Sequence, residues 1–311
     1  MNPTEQQVPQ PVEKVEKKPN FSLDYELLDQ GNGQKLERFG NNIVMRPESE
    51  TKGTWKVKEP WKLASCVINP SQSSFVVDFL PQFQKPWTTT FSCSVKDVQK
   101  TITFNLQSES SQHVGIFPEH AAQWSWIANR VSSRVAKNGS CSVLNLFGYT
   151  GAASLAAAAF GAEVCHIDSS SSALTQGKNN QASSGLEAAS IRWLKDDVIS
   201  FLEKEIRRKS VYDAIIMDPP AFGRGPDGET FNIKRDLETL ITLASKVLSK
   251  QPAFLIFNQY PKNIDAESCE ILLRSKFKNM QLSKHSLEIV ETDSKRRLQC
   301  ATAFILVPLK K

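Results

Sequence analysis

No two cysteines in this chain stand in a Cys-x-x-Cys spacing, and its four histidines do not cluster. The six cysteines (Cys66, Cys93, Cys141, Cys165, Cys269 and Cys300) are scattered. That pattern argues against a zinc site and against a disulfide framework, and favours a reducing cytosol. Cys165 lies inside an apolar strand pattern and reads as a small core residue. No apolar run approaches the roughly 20 residues that span a bilayer; the richest, Ser154 to Ala162, is far shorter. The opening "MNPTEQQVPQPVEKVEKKPN" has no hydrophobic stretch and carries acidic residues, which argues against reading it as a signal or transit peptide. Residues 1–20 read as a disordered polar tail. Strong charge is missing too. A net charge of +5 and a pI of about 8.8 fall short of the pI of about 9 that marks an evident nucleic-acid binder, so charge permits an RNA partner without indicating one. The turn between the first strand and helix of the α/β part, Asn145 to Gly151, is not Gly-x-Gly-x-x-Gly either, which disfavours a nicotinamide dinucleotide.

What is present divides in two. Over 21–112 the chain reads as short strands and turns, a small β-rich N-terminal domain. "LLDQGNGQKLERFG" holds a hairpin-like Gly31-Asn32-Gly33, and "SSFVVDFL" and "KTITFNLQ" have the β-branched and aromatic content of strands. No motif there specifies a role beyond packing or substrate positioning. Over 113–311 strand and helix alternate. An amphipathic helix from Pro118 to a stop at Gly139 is followed by "CSVLNLF", "AEVCHID", "IRWLKDD", "YDAIIMD" and "AFLIFN" as strands, with helices between them. Continuous apolar strands alternating with helices predict a parallel sheet covered on both faces, an α/β Rossmann-like fold. Ligands of such sheets bind beyond the strand C-termini.

The residues at those predicted strand ends carry the chemistry. The first strand ends in Asn145-Leu146-Phe147-Gly148-Tyr149-Thr150-Gly151, where two glycines let the backbone turn tightly near a ligand ahead of a helix N-terminus. The second ends at Asp168, which can accept both hydroxyls of a ribose through charge-assisted hydrogen bonds of about 1.5–3 kcal/mol, or can cap the following helix. The third ends at Asp196-Asp197; one carboxylate suits an adenine amine and the other a helix cap, with Asp197 preferred for the ligand. The fourth ends at Asp218-Pro219-Pro220, with Phe222 close by. Proline holds φ at about −65° and lacks a donor, so the pair stiffens the loop and leaves carbonyls able to orient a planar substrate on which Phe222 can stack. Together these place a nucleoside-cofactor site and its substrate wall at one sheet edge.

The stretches "HVGIFPEHAAQW", "VLNLFGYTGAASLAAAAFGAEVCHID", "WLKDDVISFL", "YDAIIMDPPAFGRGPDGETF" and "DSKRRLQCATAFILV" resemble the class I S-adenosylmethionine-dependent methyltransferases. More narrowly, they resemble the family that contains the bacterial 23S ribosomal RNA cytosine-C5 and guanine-N7 methyltransferases. The likeness covers His113 to Leu309 and extends less specifically to "LLDQGNGQKLERFG" and "RPES". It implies a seven-stranded mixed sheet whose last strand is antiparallel, with S-adenosyl-L-methionine as cofactor and no metal. By resemblance, Asn145, Phe147, Gly148, Tyr149, Thr150 and Gly151 hold the methionine part. Asp168 holds the ribose and Asp197 the adenine amine, while Phe117 and Glu119 close over the cofactor. Asp218, Pro219, Pro220, Phe222 and Asn258 face the acceptor base, with Asp218 also in reach of the cofactor.

Two departures shape the expected chemistry. Cytosine-C5 transfer needs a thiolate that adds to the ring, yet the family's cysteine positions hold Ala221 and Asn258-Gln259 here. An aromatic directly after Pro-Pro, usual for exocyclic-amine enzymes, is displaced by Ala221. The guanine-N7 branch is closest to Asn258. The expectation is therefore in-line transfer to a base of RNA, ribosomal RNA favoured, in a cytoplasmic protein. A small-molecule or protein methyltransferase and a non-catalytic RNA-binding protein stay open as alternatives. His166 reads as core, and His113 and His120 as structural flanks of the lid. Arg207, Arg208 and Lys209, Arg274, Lys276 and Lys278, and Lys295, Arg296 and Arg297 are candidate RNA contacts, with Arg224 best placed for a phosphate near the target base.

Overall fold

The computed structural model describes residues 20–51, 53–56, 59–72, 74–108 and 111–309. The tail read as disordered therefore lies outside the described residues, apart from Asn20. The first part is built from β1 (Asn20–Leu23), β2 (Tyr25–Gly31), β3 (Gln34–Phe39), β4 (Asn42–Pro47), a short helix α1 (Glu59–Lys62), β5 (Cys66–Pro70), β6 (Phe75–Phe79), β7 (Thr88–Val95) and β8 (Val98–Asn105). β2 to β6 form one sheet in chain order, and β1-β7-β8 form another. The β2–β3 hairpin turns at Asn32-Gly33, both with positive φ (52° and 76°), as a two-residue hairpin loop requires.

The second part begins with a 3-10 turn over Pro118–His120 that feeds α2 (Ala121–Asn138), stopped by Gly139 at φ 82°. There follow β9 (Ser142–Leu146), α3 (Ala152–Ala159), β10 (Glu163–Asp168), α4 (Ser171–Ser183), β11 (Ile191–Lys195), α5 (Val198–Arg208), β12 (Ala214–Met217), β13 (Phe222–Arg224), β14 (Thr230–Asn232), α6 (Ile233–Val247), β15 (Phe254–Gln259), α7 (Ala266–Lys276), β16 (Met280–Val290) and β17 (Arg297–Pro308). Seven strands make one sheet in the order β11-β10-β9-β12-β15-β17-β16. The five from β11 to β15 run parallel, and β17 runs antiparallel to both its neighbours. This is the mixed sheet the sequence led us to expect. β12 and β15 are buried along their whole length, because helices cover both faces and leave no polar side.

The sheet's register positions the site. Leu146 pairs with Ile167 on one side and Met217 on the other, and Met217 pairs with Phe257. Phe147, Asp168, Asp218 and Asn258 are each one residue further on, so they form a row along the carboxyl edge. The two parts share one continuous core: Phe91 and Phe104 of β7 and β8 pack their rings on Trp124 of α2, at 5.4 Å and 5.5 Å between centroids.

Candidate functional site

A cavity of about 610 Å³ opens along the carboxyl edge of the large sheet. Of the residues singled out from the sequence, it is lined by Phe117, Glu119, Phe147, Tyr149, Asp168, Asp197, Asp218, Pro219 and Pro220. A small cavity of about 50 Å³ beside it collects Asn145, Gly148, Thr150 and Asn258. Gly151 and Phe222 line neither.

The turn after β9 is held in a conformation few residues adopt. Phe147 and Tyr149 both have positive φ (57° and 51°), and non-glycine residues keep such backbone only where the surroundings enforce it. Asp168 supplies part of that enforcement. Its Oδ2 accepts from the Tyr149 N–H at 2.8 Å and its Oδ1 from the Ser170 N–H at 2.8 Å. Burial outweighs these bonds and raises its pKa above the ordinary value. The cap of α4 is Ser170, which accepts from Ala173 N–H, so Asp168 is free of the capping role weighed for it. Each of the two glycines also has a close neighbour within the protein. A Cβ on Gly148 would stand 2.3 Å from His166 Cε1, and one on Gly151, at φ 86°, would stand 2.4 Å from Trp193 Cη2. The close approach they permit is to the protein's own rings. Beneath the turn, Asn145 donates to Ser154 at 2.9 Å, Ser154 Oγ lies 2.9 Å from His166 Nδ1, and burial lowers the His166 pKa to about 3. Thr150 donates to the Gly115 carbonyl, tying the turn to the segment before Phe117. Phe117 in turn packs against Tyr149 at 5.4 Å.

At the end of β11 the expected division of labour is reversed in one respect. Asp197 is the cap of α5, accepting from Ser200 N–H at 2.9 Å through Oδ1. Asp196 instead takes the Lys204 ammonium at 2.8 Å and 3.0 Å. Asp197 Oδ2 has no partner among the described residues, so the acid still presents an acceptor to the cavity.

Asp218 is held from two elements. Tyr260, just past β15, donates to Asp218 Oδ1 at 3.0 Å, and His120 Nε2 lies 3.6 Å from Oδ2. Burial, with the charge of Asp218, raises the Tyr260 pKa well above the ordinary value and keeps it a donor. His120 also lies 3.4 Å from the Tyr260 hydroxyl and 3.3 Å from Gln123 Oε1, and Gln123 donates to Asn258 Oδ1 at 2.9 Å. Asn258 is thus buried (1% exposed) and hydrogen-bonded beneath the site. Phe222 is turned out, 54% exposed on the β13–β14 hairpin. The ring brought to the cavity is Phe231 of β14, 4.9 Å from Phe147.

A family model of S-adenosylmethionine-dependent methyltransferases matches residues 78–259. The solved structure of an S-adenosylmethionine-dependent methyltransferase from Agrobacterium tumefaciens matches with a TM-score of 0.82 at 33% identity, covering 92% of this chain and 91% of that one. The chain belongs to the S-adenosylmethionine-dependent methyltransferases. The ribosomal RNA large subunit methyltransferase K/L of Shewanella sp. (strain ANA-3) is 30% identical over 162 residues, 51% of this chain and 22% of that protein. Its counterpart from Psychromonas ingrahamii is 30% identical over 179 residues, 57% of this chain and again 22% of the relative. The matched part is therefore less than a quarter of these curated relatives. A methyltransferase crystallised with S-adenosylhomocysteine shares the fold, with a TM-score of 0.66 at 17% identity over 91% of this chain and 75% of that one.

The donor set of this methyltransferase fits its cofactor. Strand-end carboxylates and a tight turn beside an aromatic pair suit a cationic molecule carrying a diol and an amine. No helix among the described residues is long and apolar enough to cross a membrane, and no group of potential ligands that could hold a metal occurs among them.

Several lining residues escaped the sequence reading. Lys35, Arg46, Glu48 and Glu50 come from β3, β4 and the turn after it; the likenesses in "LLDQGNGQKLERFG" and "RPES" hinted at the first three without giving them a role. Tyr260 directly follows the amides Asn258-Gln259. Cys300 of β17 also lines the cavity, although no cysteine stands at a parallel strand end. The proposed RNA-contact runs are largely spoken for. Arg296 is tied to Asp29 at 2.6 Å and Glu291 at 2.7 Å. Arg208, Arg274, Lys276 and Arg297 pair with Glu205, Glu270, Glu238 and Glu288. Arg224 lines the cavity and has no charged partner among the described residues.

Proposed function

We propose that this methyltransferase acts on a base of RNA, ribosomal RNA first, by direct in-line transfer without a cysteine nucleophile. The observation that carries this is the cavity edge formed by Asp218, Pro219 and Pro220, with Arg224 beside it. The curated relatives named as ribosomal RNA methyltransferases support it. In this reading Asp168 binds the cofactor's ribose and Asp197 its adenine amine. The turn from Asn145 to Gly151 shapes the methionine end, and Phe117 and Glu119 cover it. Asp218, Pro219 and Pro220 face the base, and Asn258 holds α2 through Gln123. A chain division at 112/113 and a cytoplasmic location complete the proposal.

The bound cofactor supplies an electrophilic sulfonium methyl. The protein's task is then placement, which can lower a barrier by about 7–11 kcal/mol. Cys300 is the one cysteine among the cavity's described residues, and burial together with the charge of Glu119 pushes its thiol pKa up. Since the thiolate is the nucleophile, this environment opposes covalent chemistry. The test uses isotopically labelled S-adenosylmethionine with RNA and protein from cells lacking the gene, followed by mass spectrometry of nucleosides. We expect one labelled nucleoside other than 5-methylcytosine, a loss of about 100-fold for Asp218→Ala, and transfer by Cys300→Ser within a few-fold of wild type. Label in protein alone would move the acceptor out of RNA.

A further inference from the structure

Five strands of the N-terminal part form a sheet whose role the sequence left at packing or positioning. Its interior strands β3 and β4 carry, toward the cavity, charge that packing alone does not require. Glu37 of β3 is fully buried and takes both prongs of the Arg46 guanidinium, and Tyr25 donates to it at 2.8 Å. Burial would raise the Glu37 pKa, but Arg46 and Lys35 outweigh that and hold it at about 2. Glu37 is thereby satisfied by Arg46, which leaves Lys35 to pair with Glu48. The Lys35 side chain is 7% exposed, with two long contacts: 3.5 Å to Glu37 and 3.3 Å to Glu48. An ammonium has three donors, so this one keeps donor capacity, and both Lys35 and Glu48 line the large cavity.

The sheet order says which half of the cavity they line. Asp168 and Asp197 stand at β10 and β11, on one side of β9, whereas Asp218 and Tyr260 stand at β12 and β15, on the other. From Tyr260, which touches Asp218, the chain runs on to Lys262. That lysine contacts Ser49 and Glu50, each at 2.6 Å, immediately after Glu48. The wall from Asp218 through Tyr260 and Lys262 to Glu48 and Lys35 is therefore continuous, and its contacts lead from β12 and β15, not from the strands that carry Asp168 and Asp197. Among its described residues the cavity is lined by seven carboxylates and four Lys or Arg. Such an interior repels phosphates, so an acceptor nucleotide enters base first.

We infer that the N-terminal sheet supplies the acceptor-reading wall, with Lys35 donating to and Glu48 accepting from the polar edge of the target base. A neighbouring donor and acceptor match the alternating hydrogen-bonding groups along a base edge. This rests on the RNA-base reading above.

The test compares Glu48→Gln, at a partly exposed position, and Lys35→Met with wild type. S-adenosylmethionine affinity is measured by calorimetry, and labelled methyl transfer is measured with RNA from cells lacking the gene. We expect cofactor Kd within twofold of wild type for Glu48→Gln and transfer reduced at least tenfold, with Lys35→Met in the same direction. Transfer unchanged in Glu48→Gln overturns the inference. So does a parallel loss of cofactor affinity, which would assign the wall to the cofactor. A wild-type protein that methylates no RNA overturns the RNA reading itself, a separate result from either.

Discussion

At the scale of single residues, three carboxylates at successive strand ends sit in three different environments. Asp168 is buried and bonded to two backbone amides, Asp197 has one oxygen on a helix N-terminus and one toward the cavity, and Asp218 is held between a tyrosine and a histidine. If Asp168 binds the ribose, Asp168→Asn should weaken S-adenosylmethionine binding about 10- to 100-fold, the worth of charge-assisted bonds of about 1.5–3 kcal/mol. Isothermal calorimetry would measure it. Burial raises the Asp168 pKa above its ordinary value, so the charged form is lost as pH falls through that raised pKa. Wild-type affinity should fall on acidification through that pH, while the asparagine variant, which has nothing to titrate there, should stay flat. A flat wild-type profile would remove Asp168 from the binding charge.

At the scale of elements, the strand-to-helix turn after β9 depends on what lies under it. Gly148 has no room for a methyl group above His166 and Asn145. Gly148→Ala should cost about 1–3 kcal/mol by overpacking, read from urea unfolding, and should weaken cofactor binding because Tyr149 and Asp168 move with the turn. Much of this element was legible. The alternation of apolar strands and helices located every strand of the parallel sheet, and the strand-end acids follow from reading each strand to its last apolar residue. The partners of the two glycines were not legible. His166 and Trp193 reach them from β10 and β11, and only the parallel register sets those side chains beneath the turn. Phe222 failed for a related reason: it belongs to a hairpin with β14, in which strand alternation turns Phe231 inward and Phe222 out.

At the scale of the whole molecule, the N-terminal sheets are joined to the large sheet through packed aromatics and through Arg296. That guanidinium bridges Asp29 of β2 and Glu291 beyond β16, two acids that are each 1% exposed. Removing it leaves both with less compensation, so Arg296→Ala should cost about 3–5 kcal/mol, toward the lower end because the arginine is 22% exposed. Thermal unfolding would read the loss. Methyl transfer should fall more than cofactor affinity, since the clamp holds the wall that carries Lys35 and Glu48. Equal losses of both would mean that the clamp serves stability alone.

By itself the sequence determined the periodicities that make a parallel α/β sheet, the acids and prolines at its strand ends, and hence the family and its cofactor. These are local: each depends on a run of a few residues and on the rule that ligands meet parallel sheets at their carboxyl edge. The tertiary structure alone decided which cations face solvent, which acid caps a helix and which pairs with a lysine, and that β3 and β4 complete the cavity. Those outcomes depend on contacts between residues far apart in sequence, such as Lys262 with Glu50 and Arg296 with Asp29, for which no local pattern leaves a trace.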